Sequence, residues 1–148
     1  MTSIRRIRTA LPDDSARLKV CMESAYITYQ QRLDGIRLPP MDADYSSEIE
    51  NYPTWVVESD GDILGGLIME FDEERALIAN IAVDPRFQGQ GIGGELMKFA
   101  EAKAREKNYT ELQLATHVLL HENISLYRHL GWREIAREDN RVMMRKII

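Results

Sequence analysis

Four glycines, Gly89, Gly91, Gly93 and Gly94, fall within six positions of the stretch VDPRFQGQGIGGEL, between an apolar run and a helical pattern. Glycine bares the backbone and accepts a left-handed φ, so a ligand can approach the main chain closely. Where a helix begins, the first N–H groups lack intrahelical partners and the helix dipole adds partial positive charge. That combination is the chemistry of phosphate binding.

Two common phosphate-binding patterns fit the spelling only in part. Gly89, Gly91 and Gly94 satisfy the dinucleotide spacing G-x-G-x-x-G. Yet DPRFQ separates the preceding strand from the first glycine, and the next strand, ending LQLATH, offers no carboxylate for a ribose. A nucleoside-triphosphate loop matches at Gly89 and Gly94 but then requires lysine and a hydroxyl, where this chain has Glu95 and Leu96. A carboxylate there would repel the ligand.

The elements around the loop follow from periodicity. SIRRIRTA alternates as a strand, and PDDSARLKVCMESAYITYQQRL reads as a helix with Leu18, Cys21, Met22, Ala25 and Tyr29 on one face. DGIRLPP is a loop, and MDADYSSEIENY a short second helix with Asp42 as a cap. TWVVES, ILGGLIMEF and ALIANIAV form an antiparallel meander joined by tight turns at DGD and DEER. ALIANIAV is apolar almost throughout, as in a central strand covered on both faces.

Ile92, Leu96, Phe99 and Ala100 mark a helix reaching about Lys107, YTELQLAT is a strand, and HENISLYRHLGW is a helix stopped by Gly131. REIARE and VMMRKII close the chain as a hairpin turning at DN. The expected fold is α/β of the α+β type: a mixed, mostly antiparallel central sheet of about seven strands flanked by about four helices. The strands on either side of the glycine-loop helix run parallel. Repeats and linkers are lacking, so residues 1–148 read as a single domain.

With that element order in place, V-x-P-x-x-Q-G-x-G-I-G resembles the pyrophosphate-binding motif of the GCN5-related N-acetyltransferases, the GNAT superfamily. Val83, Pro85, Gln88, Gly89, Gly91, Ile92 and Gly93 fall on its usual positions. A second motif, NISLYRHLGW, follows about 35 residues later, and the likeness covers essentially the whole chain. It implies an acetyl-CoA-dependent N-acetyltransferase acting on a primary amine by direct attack in a ternary complex. Gln88, Gly89, Gln90, Gly91, Ile92, Gly93 and Gly94 would cradle the diphosphate of coenzyme A. Ile81, Ala82 and Val83 would pair with its pantetheine arm as a pseudo-strand. A backbone N–H near Ile81 or Ala82 would meet the oxyanion.

The same resemblance places Tyr127 beside the coenzyme sulfur as general acid, since a phenol stays protonated at neutral pH. Relatives often carry an asparagine at the position of Leu120 here; Asn123, one turn before Tyr127, either contacts the cofactor or caps its helix. The base is less clear in the residues. Relatives place a glutamate where this chain has Ala79 or Ala115, leaving Glu70, His117 and His121 as candidates, with Glu70 the one carried forward. Tyr26, Tyr29 and Tyr45, with Asp34, Asp42 and Asp44, make an aromatic and acidic region suited to a cationic acceptor. A small-molecule or peptide amine fits, including a peptide terminus. The alternative class is an acyl-CoA sensor that binds without turnover.

Composition sets the outer limits. The formal charge of −5 argues against a nucleic-acid or anionic-membrane partner. One cysteine, Cys21, forms no internal disulfide and sits on an apolar helix face, so a core role and a reducing, cytoplasmic setting are expected. The opening segment lacks the apolar stretch of a secretory signal, and ILGGLIM is too short to span a bilayer. The three histidines show no metal-ligand spacing, so no metal is expected. Homodimerisation is left open.

Overall fold

The computed structural model describes residues 4–30, 33 and 35–148. It contains one seven-stranded sheet in the order β1-β2-β3-β4-β5-β7-β6. The strands are β1 (Arg6–Thr9), β2 (Thr54–Ser59), β3 (Asp62–Phe71), β4 (Ala76–Val83), β5 (Glu111–His117), β6 (Arg133–Glu138) and β7 (Arg141–Ile147). All pairings are antiparallel except β4 with β5. The helices are α1 (Ser15–Gln30), α2 (Pro39–Asp42), α3 (Tyr45–Asn51), α4 (Ile92–Glu106) and α5 (His121–His129).

The mixed sheet agrees with expectation, while the helix count rises from four to five. MDADYSSEIENY does not form one helix. Pro39 and Pro40 start a single turn that ends at Asp42, and Ala43 is extended. Proline suits the first helical position, where its missing N–H is no loss. The cap of α3 is therefore Asp44, not Asp42: its Oδ1 accepts from the Ser47 N–H at 3.2 Å. Asp42 pairs instead with Arg37.

Two apolar layers cover the sheet. On one face α4 packs Ile92, Leu96, Met97, Ala100 and Ala104 against Leu67, Met69, Ile78, Leu112 and Met144. On the other, Leu18, Cys21, Met22 and Ala25 of α1 meet Val56, Ile68 and Ala82. Paired glycines on β3 allow both approaches. A Cβ on Gly65 would lie 2.9 Å from the Ala82 carbonyl oxygen, and one on Gly66 would lie 2.6 Å from Leu18 Cδ1. Burial raises the Cys21 thiol pKa to about 12, as a core residue requires.

The cleft arises where β4 and β5 part. They pair only from Ala76 to Ile78 against Leu112 to Leu114, although both strands continue beyond. Next to that point β4 bulges: Ile78 pairs with Met69 and Asn80 with Ile68, leaving Ala79 without a partner. An extra residue reverses the alternation of side chains. Ile78 faces the α4 layer, and Asn80 and Ala82 turn to the α1 face while Ile81 and Val83 pack on the α4 side. This corrects the picture of a strand covered on both faces. Its first half is core, and its second half lines an open cavity.

Candidate active site

A cavity of about 1020 Å³ runs from the glycine loop, past the parting strands, to the region between α1, α2 and α3. The residues assigned to the cofactor, the acid and the tyrosine wall border it, except Gln90; the candidate base Glu70 and the acceptor-side Asp42 and Asp44 do not. The sequence motifs thus converge on one space from both sheet faces.

The loop geometry begins at Asp84, buried at the end of β4. Its Oδ1 accepts from the Arg86 N–H at 2.9 Å, which organises the 3₁₀ turn Pro85–Phe87. Burial alone would raise its pKa, but the Arg86 side chain and N–H together hold it below the usual carboxylate range. Gly89 and Gly91 then adopt φ of 83° and 82°, and Gly91 caps the start of α4. Cβ atoms built on Gly89 and Gly94 would meet nothing within 4 Å, so the backbone is bare toward open space. Left-handed glycines, open surroundings and free N–H groups at a helix start form a cradle that fits a diphosphate.

Tyr127 borders the middle of the cavity on α5, its ring 6.0 Å from that of Trp132. Its hydroxyl makes no hydrogen bond to the described residues. Burial, followed by the nearby Tyr29, raises its pKa to about 12. Asn123 does not cap α5, which starts after Leu120 with no side-chain cap. Its Oδ1 accepts instead from the Tyr29 hydroxyl at 3.3 Å, bridging α5 to α1.

The α1–α3 end is built around Asn80, a residue that composition and spacing did not single out. Tyr26 donates to its Oδ1 at 3.0 Å, and its Nδ2 donates to the Tyr45 hydroxyl at 3.3 Å. Tyr45 in turn donates to the Pro40 carbonyl. Burial pushes both phenols well above the ordinary tyrosine range. The tyrosines are neutral walls held by a neutral amide.

The candidate bases are separated by the same geometry. Glu70 lies near the end of β3 opposite Leu77 and does not border the cavity. Glu48 does, and among the described lining residues it is the only carboxylate. Burial, then Glu70 and Asp44, raises its pKa. Its place three residues after Tyr45, on the same helix face, was the available sequence signal. His117 borders the cavity, but its Nδ1 accepts from the Leu119 N–H at 3.1 Å, which puts the neutral ring's proton on Nε2. Nε2 is buried without a partner, so no lone pair faces an acceptor. His121 is exposed and lies off the cavity. Asp42 and Asp44 are engaged as described, and Asp34 lies outside the described residues. Among the described residues no group of three or more His, Cys, Asp or Glu could hold a metal, and no helix is long and apolar enough to cross a membrane.

Comparison with known proteins gives the same direction. The model of the acetyltransferase (GNAT) family matches residues 21–132. An uncharacterized N-acetyltransferase of Escherichia coli (strain K12), YjgM, is 31% identical over 55% of this chain and 51% of its own length. A Bacillus subtilis (strain 168) protein, named as a candidate alanine N-acetyltransferase for ribosomal protein bS18, is 34% identical over 61% of each chain. The chain thus matches about half to three-fifths of the length of these curated relatives. The fold is shared with the crystal structure of PaiA N-acetyltransferase from Thermoplasma acidophilum in complex with coenzyme A. That likeness has a TM-score of 0.84 at 17% identity, covering 98% of this chain and 99% of that one.

Proposed function

We propose, from the premise that this chain belongs to the acetyltransferase (GNAT) family, that it transfers an acetyl group from acetyl-CoA to a primary amine. The single observation carrying this reading is that the bare glycine cradle, the parted strands and Tyr127 border one continuous cavity. Acetyl-CoA, once bound, supplies the thioester.

The residues divide the work by position. Gln88 to Gly94 receive the diphosphate, and Ile81, Ala82 and Val83 offer the unpaired edge of β4 to the pantetheine amides. A backbone N–H near Ile81 or Ala82 stabilises the oxyanion. Asn123 steadies the α5 side through Tyr29. Tyr127 stands at the leaving-group end with a hydroxyl that is unpaired among the described residues. A phenol near 12 is a weaker acid than an alkyl thiol near 8.5, so complete proton transfer would be uphill by about 5 kcal/mol. Tyr127 therefore acts chiefly by hydrogen-bonding the departing thiolate, while solvent completes its protonation.

The acceptor end favours an amine that loses its proton easily. Asn80 is held on both its oxygen and its nitrogen by tyrosines, and Glu48, the only carboxylate among the described lining residues, already resists ionisation. Deprotonating an α-amine at pH 7 costs about 1 kcal/mol, against about 4.6 for a lysine-like amine. This supports an α-amine on a small molecule or peptide terminus. The Bacillus subtilis relative is named for acetylating alanine, whose only amine is the α-amine. Glu48 takes over from Glu70 as the carboxylate able to serve a water-relayed proton.

The test is thiol release from acetyl-CoA in the presence of an alanine-starting peptide, an N-blocked lysine peptide and simple diamines. Faster release with the free α-amine is expected. Tight acetyl-CoA binding without release for any amine would overturn the enzyme reading in favour of a sensor.

A further inference from the structure

Resting on that donor-site reading, we infer that Arg5 is a diphosphate-contacting residue of the cradle, supplied from outside the glycine motif and outside the stretch matched by the family. Arg5 immediately precedes β1, yet its side chain crosses to the start of α4. Its Nη2 donates to the Gln90 carbonyl at 2.6 Å and to Glu95 Oε1 at 2.7 Å, and its Nε donates to Glu95 Oε2 at 3.2 Å. The same Nη2 would lie 3.8 Å from a Cβ on Gly91. These bonds use three of the five guanidinium N–H groups. The two on Nη1 make no hydrogen bond among the described residues, and the side chain retains 26% exposure at the rim of the cradle.

Charge gives Arg5 a reason to be there. Glu95 occupies the first turn of α4, where an anionic ligand would gain from the helix dipole and lose to a free carboxylate. Arg5 cancels that carboxylate in a two-point pair through Nε and Nη2, which leaves its two Nη1 donors unspent beside the loop. Lowering of the Glu95 pKa, first by its hydrogen bond from Arg5, agrees with this pairing. A guanidinium fixed on one side and open on the other is prearranged for a phosphate oxygen. Because Arg5 sits over Gln90 and Gly91, the group it meets is the diphosphate held by the loop.

Calorimetry with coenzyme A, dephospho-coenzyme A and pantetheine tests this without any acceptor. Arg5→Ala is expected to weaken coenzyme A and dephospho-coenzyme A equally, each about tenfold, and to leave pantetheine unchanged. Arg5→Lys should recover part of the loss, and Arg5→Ala combined with Glu95→Gln should keep most of it. Unchanged coenzyme A affinity in Arg5→Ala, or equal weakening of pantetheine, would overturn the assignment. So would full recovery in the double variant, which would reduce Arg5 to neutralising Glu95, or a loss confined to coenzyme A, which would point to the 3′-phosphate. If the unaltered protein bound no coenzyme A, the donor-site reading would fall first, and Arg5 with it.

Discussion

Gly89 and Gly61 provide a matched pair for testing the proposed cradle. Both hold left-handed backbone, at φ 83° and 81°, and a Cβ on either would meet nothing within 4 Å. Gly61 follows Asp60 in the two-residue turn between β2 and β3, and does not border the cavity. Alanine at either site therefore introduces the same backbone penalty, roughly 1–2 kcal/mol, and no clash. For a chain of this size that lowers the melting temperature by about 3 to 6 °C. The two differ in what the added methyl blocks. At position 89 it occupies the open space through which a phosphate reaches the loop N–H groups, and losing one charge-assisted hydrogen bond there costs about 1.5–3 kcal/mol, or roughly 10- to 150-fold in affinity. Urea unfolding and calorimetric titration with coenzyme A separate the effects. Gly61→Ala should lose stability alone, and Gly89→Ala should lose both. Equal coenzyme A affinity in the two variants would refute a cradle at Gly89.

The other expectations concern the acid, the N-terminal ion cluster and the sheet. Tyr127→Phe should reduce turnover about 100-fold with donor affinity unchanged, read by single-turnover thiol release and calorimetry; equal turnover would remove Tyr127 from the chemistry. Asp14 is buried, and hydrogen bonds from Arg8, with help from the Leu11 N–H and Arg17, hold its pKa at about 2. A depressed carboxylate stabilises the fold above its unfolded pKa of about 3.9 and loses that effect as pH falls toward 2, so Asp14→Asn should cost about 2 kcal/mol at pH 7. Urea midpoints of the two proteins should converge between pH 4 and 2. Gly65→Ala puts a methyl against the Ala82 carbonyl and should destabilise the fold by about 1–3 kcal/mol, more than Gly61→Ala, in the same urea assay.

The left-handed glycine loop at the start of α4 and the element order were legible in the sequence because each depends on local chemistry. Glycine at positions 89 and 91 permits a left-handed φ wherever the loop is placed, and the apolar spacing of α4 selects its buried face without knowledge of partners. The cap was misassigned to Asp42 because two short-range signals competed: two adjacent prolines begin their own helical turn, which ends at Asp42 and passes the capping role to the next aspartate, Asp44.

Which side chains share the cavity was a different kind of question. Strict alternation along ALIANIAV would put Asn80 with Ile78 on the α4 face. The bulge at Ala79 puts it on the other face, between Tyr26 and Tyr45, and only the pairing with β3 creates that bulge. Glu48 and Glu70 are equally good carboxylates as letters. The packing of α3 sets one against the cavity and leaves the other off its lining. Arg5 lies 85 residues before Gln90, so their contact has no local signature at all. Sequence determined the backbone amides, whose conformation is set within a few residues; tertiary structure decided the company of the side chains, which depends on register and on contacts between segments far apart in the chain.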